Sequence, residues 1–407
     1  MTDSHTIFKF PETNRRLPFS LSNRGEKRVR TGHPWIFDRH IERIKGEGKA
    51  GDLAMIFSSE DNKLMGIGLY DPDSPIRIKM LHHGPARKID ESFFREKVEQ
   101  AFEKRKELLQ TDTNSYRFIF GENDGFPGLI ADVYAHIMVL KVYSEIWLPW
   151  LNSFIGFLIE TSGCDAVVLR LSRIMQKSMK GKLADGQVIY GELDQEEVLF
   201  KEHGLKFSAN VFRGHKTGYF LDHRHNRKRV GELSKGKKVL DVFAYSGGFS
   251  VHALTGGANE VTSVDISGQA LEQAKRNSEL NAFEGLHHCI KGDAFNVLTS
   301  LIDEGHSYDL VVIDPPSFAK QESEIALALK KYRQLAQLGQ QLIIEGGILV
   351  LASCSSRVKS DSFFEAVEEE LDMKQFSLKE RTFHDSDHPI SFPEGAYLKC
   401  SYYHKIY

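Results

Sequence analysis

The chain has 407 residues, 41% of them hydrophobic and 27% charged, with a net charge of -3. This composition belongs to a globular protein with a real core, of roughly two or three domains, and excludes a fibrous or disordered chain. With no overall basic excess, a nucleic-acid partner has to be held by local patches.

In chain order, Met1 to Phe10 is mixed polar and aromatic and lacks the apolar segment of a signal peptide. From about Leu17 to Met80 come short β-like runs, Leu53-Ala-Met-Ile-Phe57 and Met65-Gly-Ile-Gly-Leu-Tyr70. Gly46, Gly48, Gly51, Asp61-Asn62 and Asp71-Pro72 bound them. Such strands with frequent turn chemistry predict a small β-barrel. Glu91 to Leu109 follows as a helix, with Phe93, Phe94, Val98, Ala101, Phe102 and Leu108 at helical spacing.

A second region, about Tyr116 to Tyr190, alternates strands (Ile137–Tyr143, Ala166–Arg170) with the amphipathic stretch Trp147 to Ile159; Glu122–Gly128 is a turn by composition. Ile146 to Ile159, the most apolar stretch, is interrupted by Asn152 and Ser153. It is shorter than the roughly 20 residues of a membrane span. A cytoplasmic protein with no membrane partner is expected.

The third region, about Val198 to Tyr407, has apolar runs Val239–Phe243, Val261–Val264, Leu310–Ile313 and Ile348–Ala352 with helical stretches between them. Continuous apolar runs mark strands buried on both faces, hence a parallel α/β sheet. Ser267 stands at the N-cap position of a helix over Gln269 to Leu280.

Ligands of open α/β sheets bind beyond the carboxyl ends of the strands. Here the four runs lead into Tyr245-Ser-Gly-Gly248, Asp265, Asp314-Pro-Pro-Ser317 and Ser353-Cys354-Ser355. Gly247 and Gly248 would let backbone approach a ligand, but the loop is not G-x-G-x-x-G, which disfavours a dinucleotide. Asp265 follows the glycines at about the spacing of an acid that binds ribose hydroxyls; its plainer reading is a solvated turn residue. Asp293, after His288-Cys-Ile290, suits an adenine amino group or a simple turn. The two prolines after Asp314 make a stiff loop that presents the carboxylate.

Cys164, Cys289, Cys354 and Cys400 form no C-x-x-C pair, which argues against a structural zinc site and fits a reducing compartment; no metal is expected. A cysteine after an apolar run is usually a core residue, yet Cys354 lies among serines on the candidate edge and reads as a nucleophile. Cys289 and Cys400 read as structural. Arg213 to Arg229 is a basic run with His215, His223 and His225 interleaved, either a solvated face or a phosphate contact. Arg15, Arg16, Arg24, Lys27, Arg28 and Arg30 form a second basic run beside His33-Pro-Trp-Ile-Phe37, whose rings could stack on bases.

Taken as an ordered set, several motifs resemble one family. They are Gly32–Phe37, Gly121–Gly128, Gly214–Arg224, Phe243–Phe249, Asp314–Ser317, Ser353–Ser355, Asp387-His-Pro389 and Pro393-Glu-Gly395. The chain resembles the 23S ribosomal RNA large-subunit methyltransferase I family, cytosine-5 methyltransferases of the class I fold, from about Leu17 to its end. The resemblance implies an α/β protein. Its domains would be an RNA-binding PUA β-barrel over 17–90, a central α/β domain over 91–195 and a Rossmann-like methyltransferase domain over 196–407. S-adenosyl-L-methionine would be the cofactor and ribosomal RNA, 23S, the partner; a homodimer is compatible with it.

By position, Asp241, Phe243, Tyr245, Ser246, Gly247 and Gly248 would line the methionine end of the cofactor. Asp265 would hold the ribose, Asp293 with Ala294 the adenine, and Asp314 the side facing the target base, with Ile266 and Pro315 also among the cofactor-binding residues. Phe220, Asp222 and Arg224 would close over the cofactor. In the chemistry implied, a thiolate attacks carbon 6 of cytosine so that carbon 5 becomes nucleophilic; Cys354 is the nucleophile and Asp314 the group at N3, with the base for the carbon 5 proton unassigned. Other RNA cytosine-5 enzymes carry a second cysteine in the D-P-P-like motif, and many members of this family a lysine; this chain has Ser317. Three rivals stay open: an amino-group methyltransferase, which would need an aromatic directly after the prolines where Phe318 comes one place late; a nicotinamide oxidoreductase; and a non-catalytic RNA-binding protein.

Overall fold

Alternate residues of the apolar runs serve two different cores. Leu240, Val311, Ile313, Leu349 and Leu351 pack in one, while Val239, Leu310, Val312, Val350 and Ala352 pack in the other. A strand whose side chains alternate between two buried faces has no polar positions to show, which is why the pattern is continuous. The structure is a computed structural model describing Phe10, Glu12, Thr13 and residues 15–406. Apart from Phe10, the segment Met1 to Phe10 read above lies outside the described residues.

The chain divides into two compact units. One takes in residues up to Lys201, Ser208–Leu221 and Ser386–Pro393; the other Glu202–Phe207, Asp222–Asp385 and Glu394–Tyr407. The first unit holds two sheets. Six strands order as Trp35–Ile36, Ile78–His83, Leu64–Tyr70, Leu53–Phe57, Arg16–Leu21 and Ile41–Ile44, around Phe19, Leu21, Ile36, Ile56 and Ile78. Five more order as Gln187–Tyr190, Ala166–Leu171, Ile137–Val142, Leu129–Tyr134 and Ser115–Phe120. The helix expected over Glu91 to Leu109 stops at Glu103 and resumes over Lys106–Leu109. Between them Arg105, fully buried, donates to both carboxylate oxygens of Asp124 at 3.1 and 2.6 Å and to the Asp387 carbonyl at 3.0 Å. Arg117 N donates to Asp387 Oδ2 at 2.9 Å, and Ser391 N to Asn123 Oδ1 at 2.8 Å. The motifs Gly121–Gly128 and Asp387–Pro389, remote in sequence, therefore hold each other.

The second unit is built on a seven-stranded sheet. Its strands are β1 Lys238–Val242, β2 Glu260–Asp265, β3 Leu286–Lys291, β4 Tyr308–Ile313, β5 Ile343–Ser353, β6 Phe376–Thr382 and β7 Lys399–Lys405. The order is β3-β2-β1-β4-β5-β7-β6. β1 to β5 run parallel, and β7 lies antiparallel between β5 and β6. The order reverses between β1 and β4, the place where open α/β sheets take their ligands. β6 and β7 were not expected. Their sequences, Phe-Ser-Leu-Lys-Glu-Arg-Thr and Lys-Cys-Ser-Tyr-Tyr-His-Lys, carry no apolar run. The Ser267 cap is present, its side chain accepting from Ala270 N at 3.2 Å.

Candidate active site

Asp241, the penultimate residue of β1, is 1% exposed. Its Oδ2 accepts from Ser250 N at 3.0 Å and Ser250 Oγ at 2.6 Å, while its buried Oδ1 has no partner among the described residues. Burial pushes this carboxyl up to about 7; the Ser250 bonds oppose the shift, and the carboxylates of Asp314 and Asp265 add to it. The loop after β1 is tightly folded: Phe243, Tyr245 and Gly247 have φ of 66°, 48° and 77°, conformations costly for the two aromatic residues. Tyr245 N donates to Asp265 Oδ2 at 2.9 Å and Asn277 Nδ2 to the Ser246 carbonyl at 2.9 Å. At Gly247 the close approach is to protein, since a Cβ there would lie 2.7 Å from Ala274 Cβ.

Asp265, at the end of β2, is half-buried and also accepts from Ser267 N at 2.8 Å. Beside it Ile266 is 70% exposed, a large apolar side chain open at the strand edge. Asp293 caps the helix Ala294–Asp303, accepting from Phe295 N and Asn296 N at 3.1 and 3.3 Å; Ala294 behind it is buried. Asp293 thus serves as the N-cap of this helix.

The reactive groups converge at the ends of β4 and β5. Asp314 Oδ1 lies 3.8 Å from Cys354 Sγ, and both residues are partly exposed, while Pro315 is buried. Cys400 and Cys164, by contrast, are buried, and Cys289 is partly so. Phe318 packs against Tyr332 at 5.2 Å with Lys331 Nζ 4.8 Å above its ring, so it is engaged within the fold. The backbone after Cys354 is tied to Lys399, which is 0% exposed. Its ammonium donates to the carbonyls of Ser355, Val358 and Tyr397 at 2.5, 2.6 and 3.1 Å. Burial without a carboxylate pushes its pKa down to about 8.

A third side chain completes this cluster and escaped the sequence reading. His223, buried, places Nε2 3.4 Å from Cys354 Sγ and 3.3 Å from Asp314 Oδ1. It was counted only as one histidine in a basic run. The usable signal was its place beside Asp222 and three residues before Asn226, at the N-cap of the helix that begins at Arg224. The ligand atoms of His223, Asp314 and Cys354 lie within 4.8 Å of one another, a grouping that could also hold a metal ion.

The Gly214–Arg224 motif passes from the first unit to the second at Asp222. Phe220, in the first unit, stacks on His215 at 5.6 Å. Asp222 is buried and accepts from the Tyr397 hydroxyl at 2.8 Å. Arg224, fully buried, lies 3.3 Å from Asp385 and 3.7 Å from Glu202. Arg227 is buried too and grips Glu202 with Nε and Nη2 at 2.7 and 2.6 Å. The basic run is therefore no uniform solvated face.

In the first unit, Arg24, Lys27, Arg28, Thr31, His33 and Arg39 line a basic hollow. Trp35, half-buried, donates from Nε1 to Glu122 at 2.9 Å and sits edge-on to Phe392 at 5.1 Å. Among the described residues no helix is long and apolar enough to cross a membrane.

A family model described as S-adenosylmethionine-dependent methyltransferase matches residues 174–399, and one described as PUA-like domain matches residues 19–83. A ribosomal RNA large subunit methyltransferase of Deinococcus radiodurans is 42% identical over 394 residues, covering 95% of this chain and 96% of that one. A ribosomal RNA large subunit methyltransferase I of Escherichia coli is 34% identical over 386 residues, covering 93% and 97%. Among solved structures, a methyltransferase-like protein complexed with SAH superposes with a TM-score of 0.81 at 20% identity, over 96% of this chain and all of that one. At that identity the likeness concerns the fold.

Proposed function

The chain belongs to the ribosomal RNA large subunit methyltransferase I family of S-adenosylmethionine-dependent enzymes, and we propose that it methylates carbon 5 of a cytosine in 23S ribosomal RNA through a covalent bond to Cys354. The observation that carries this reading is the partly exposed Cys354 thiol, 3.8 Å from the Asp314 carboxylate at the switch point of the sheet. Phe318, held by Tyr332, is turned to the fold's own use, which disfavours the amino-group rival that needs an aromatic against its base.

The residues fit the cofactor. Asp241 Oδ1, a buried carboxylate oxygen without a partner among the described residues, suits the cationic amino group of the methionine end. Tyr245, Ser246, Gly247 and Gly248 surround that end in this reading. Asp265 takes the ribose hydroxyls and exposed Ile266 offers an apolar surface to the adenine, with Asp293 and Ala294 further along. When bound, S-adenosylmethionine supplies an electrophilic methyl group.

The protein's task is to make carbon 5 of cytosine nucleophilic. Cys354 adds as thiolate to carbon 6, and Asp314, placed at N3, gives that nitrogen a proton so that no negative charge builds on the ring. A base, not assigned to a residue, then takes the carbon 5 proton; the freed electron pair re-forms the ring double bond as the carbon 6–sulfur bond breaks, Cys354 leaves as thiolate, and the N3 proton returns to Asp314. In this scheme residues 17–90 form the RNA-binding domain, with the basic hollow at Arg24, Lys27 and Arg39 facing phosphates. Residues 91–195 are the central domain, residues 196–407 the methyltransferase domain, and the setting is the cytoplasm.

The test is nucleoside mass analysis of 23S ribosomal RNA incubated with enzyme and S-adenosylmethionine. The expected product is 5-methylcytidine. A methylated adenosine or guanosine in its place would overturn the cytosine reading.

A further inference from the structure

Among the described residues, the chemistry assigned to Cys354 and Asp314 leaves one adjoining group without a task. His223 is buried, within 3.4 Å of the sulfur and 3.3 Å of the carboxylate. We infer that His223 is a positioning residue, a standing Nε2–H donor that holds the Cys354 thiolate while the thiol proton passes to Asp314. The inference rests on the reading of Cys354 as nucleophile and adds to it the fate of the proton.

The ring's other nitrogen decides its role. His223 Nδ1 lies 3.0 Å from Asn226 Nδ2. The orientation of that amide follows from its neighbours. Asn226 Oδ1 accepts from the hydroxyls of Thr382 at 2.6 Å and Tyr402 at 2.9 Å, which turns the NH2 group toward His223. A ring whose Nδ1 accepts carries its proton on Nε2. Burial opposes a second proton on the ring, and the Asp314 carboxylate, by charge and hydrogen bond, outweighs it and raises the pKa. Neutral or charged, the ring presents Nε2–H to the sulfur and the carboxylate. With a proton there, Nε2 has no lone pair to take the thiol's proton and none to bind a metal ion.

Asp314 Oδ1, facing the sulfur, takes the thiol proton. Cys354 S–H breaks, its electron pair stays on sulfur, and the proton forms an O–H bond with Asp314 Oδ1, 3.8 Å away. The products are a thiolate facing Nε2–H and a neutral carboxylic acid. That acid is the form Asp314 needs to donate at N3, so activation of the nucleophile supplies the proton that the base requires. Among the described residues, the charged and titratable groups that act on the pair include Asp314 after β4, Asp222 and His225 beside His223, Arg227 on the following helix, Tyr332, and buried Lys399 on β7.

The experiment follows Cys354 alkylation by iodoacetamide against pH in the full-length protein, read by peptide mass analysis, in the wild type, His223→Ala and His223→Gln. In the wild type the midpoint falls below the ordinary thiol value of about 8.5. His223→Ala slows alkylation at pH 7 by about tenfold, one unit of midpoint, and His223→Gln, whose amide still donates, restores most of it. An unchanged profile in His223→Ala, or a loss in Gln as large as in Ala, overturns the donor role. Should His223→Ala fail to fold, 15N spectra of the histidine-labelled wild type decide, with the His223 signals identified by their absence in His223→Gln. A protonated Nε2 is expected, and an unprotonated Nε2 refutes the inference. Full methyl transfer by Cys354→Ala would instead remove the nucleophile reading, leaving the alkylation and tautomer results to stand by themselves.

Discussion

Asp241→Asn removes a buried carboxylate whose Oδ1 has no partner among the described residues, and its effect on folding should differ in sign from its effect on ligand binding. The carboxyl is raised from 3.8 to about 7, roughly 3 units, or about 4 kcal/mol between its two protonation states. An acid with a raised folded-state pKa contributes its stability in full below the unfolded value and loses it as pH rises through the folded one. Relative to the asparagine variant, the wild type should therefore lose on the order of 4 kcal/mol between pH 4 and pH 8, measured by urea denaturation across that range. Binding runs the other way. If Asp241 receives a cationic amino group, a proton on the carboxyl competes with the ligand below pH 7. Calorimetric titration with S-adenosylhomocysteine should show affinity about tenfold weaker at pH 6 than at pH 8 in the wild type, and weak and flat in Asp241→Asn. Equal wild-type affinities at pH 6 and pH 8 would refute the assignment of Asp241 to the ligand's charge.

Glu202→Gln should cost roughly 3–5 kcal/mol of stability, the range for breaking a buried ion pair, because Glu202 serves Arg227, Arg224 and His252 while 0% exposed; a loss under about 1 kcal/mol in denaturation would show that this cluster is not structural. Burial opposes the Glu202 charge, but Arg227 and His252 hold its carboxyl well below the usual range, so the stabilisation is present above about pH 4.5 and fades as the solution is acidified through the folded-state value. Reversing the exposed charges with Arg24→Glu and Lys27→Glu should weaken RNA binding and flatten its dependence on salt while sparing S-adenosylhomocysteine affinity. Unchanged RNA affinity and salt slope would take the basic hollow out of the RNA contact.

The strands most legible in the sequence were those buried on both faces, and these carry Asp241, Asp265, Asp314 and Cys354 to a common edge. β6 stayed hidden because most of its side chains are exposed or half-buried. β7 stayed hidden because the residues it buries, Lys399, Cys400 and Ser401 among them, are of polar or ambiguous type. Lys399 is stable inside only because three carbonyls meet its ammonium, a fact of the folded chain that no local pattern announces. Arg224 and Arg227 read as a solvated run until Glu202, more than 20 residues away, neutralises them from a separate segment. His223 was lost in the same charge run, since its meaning lies in Asp314 and Cys354, which only the sheet brings beside it. The Asp387–Pro389 motif stood out in the sequence, but its partners Arg105 and Arg117 lie some 270–280 residues earlier.

Trapping on RNA whose cytidines are replaced by 5-fluorocytidine tests covalent catalysis most directly. Fluorine at carbon 5 cannot depart as the proton does, so after methyl transfer the bond between sulfur and carbon 6 persists. In the presence of S-adenosylmethionine, a denaturation-resistant protein–RNA complex is expected, with the link mapped by peptide mass analysis to Cys354. Full methylation of ordinary RNA by the same preparation, with no such complex formed on the fluorinated RNA, would contradict the account.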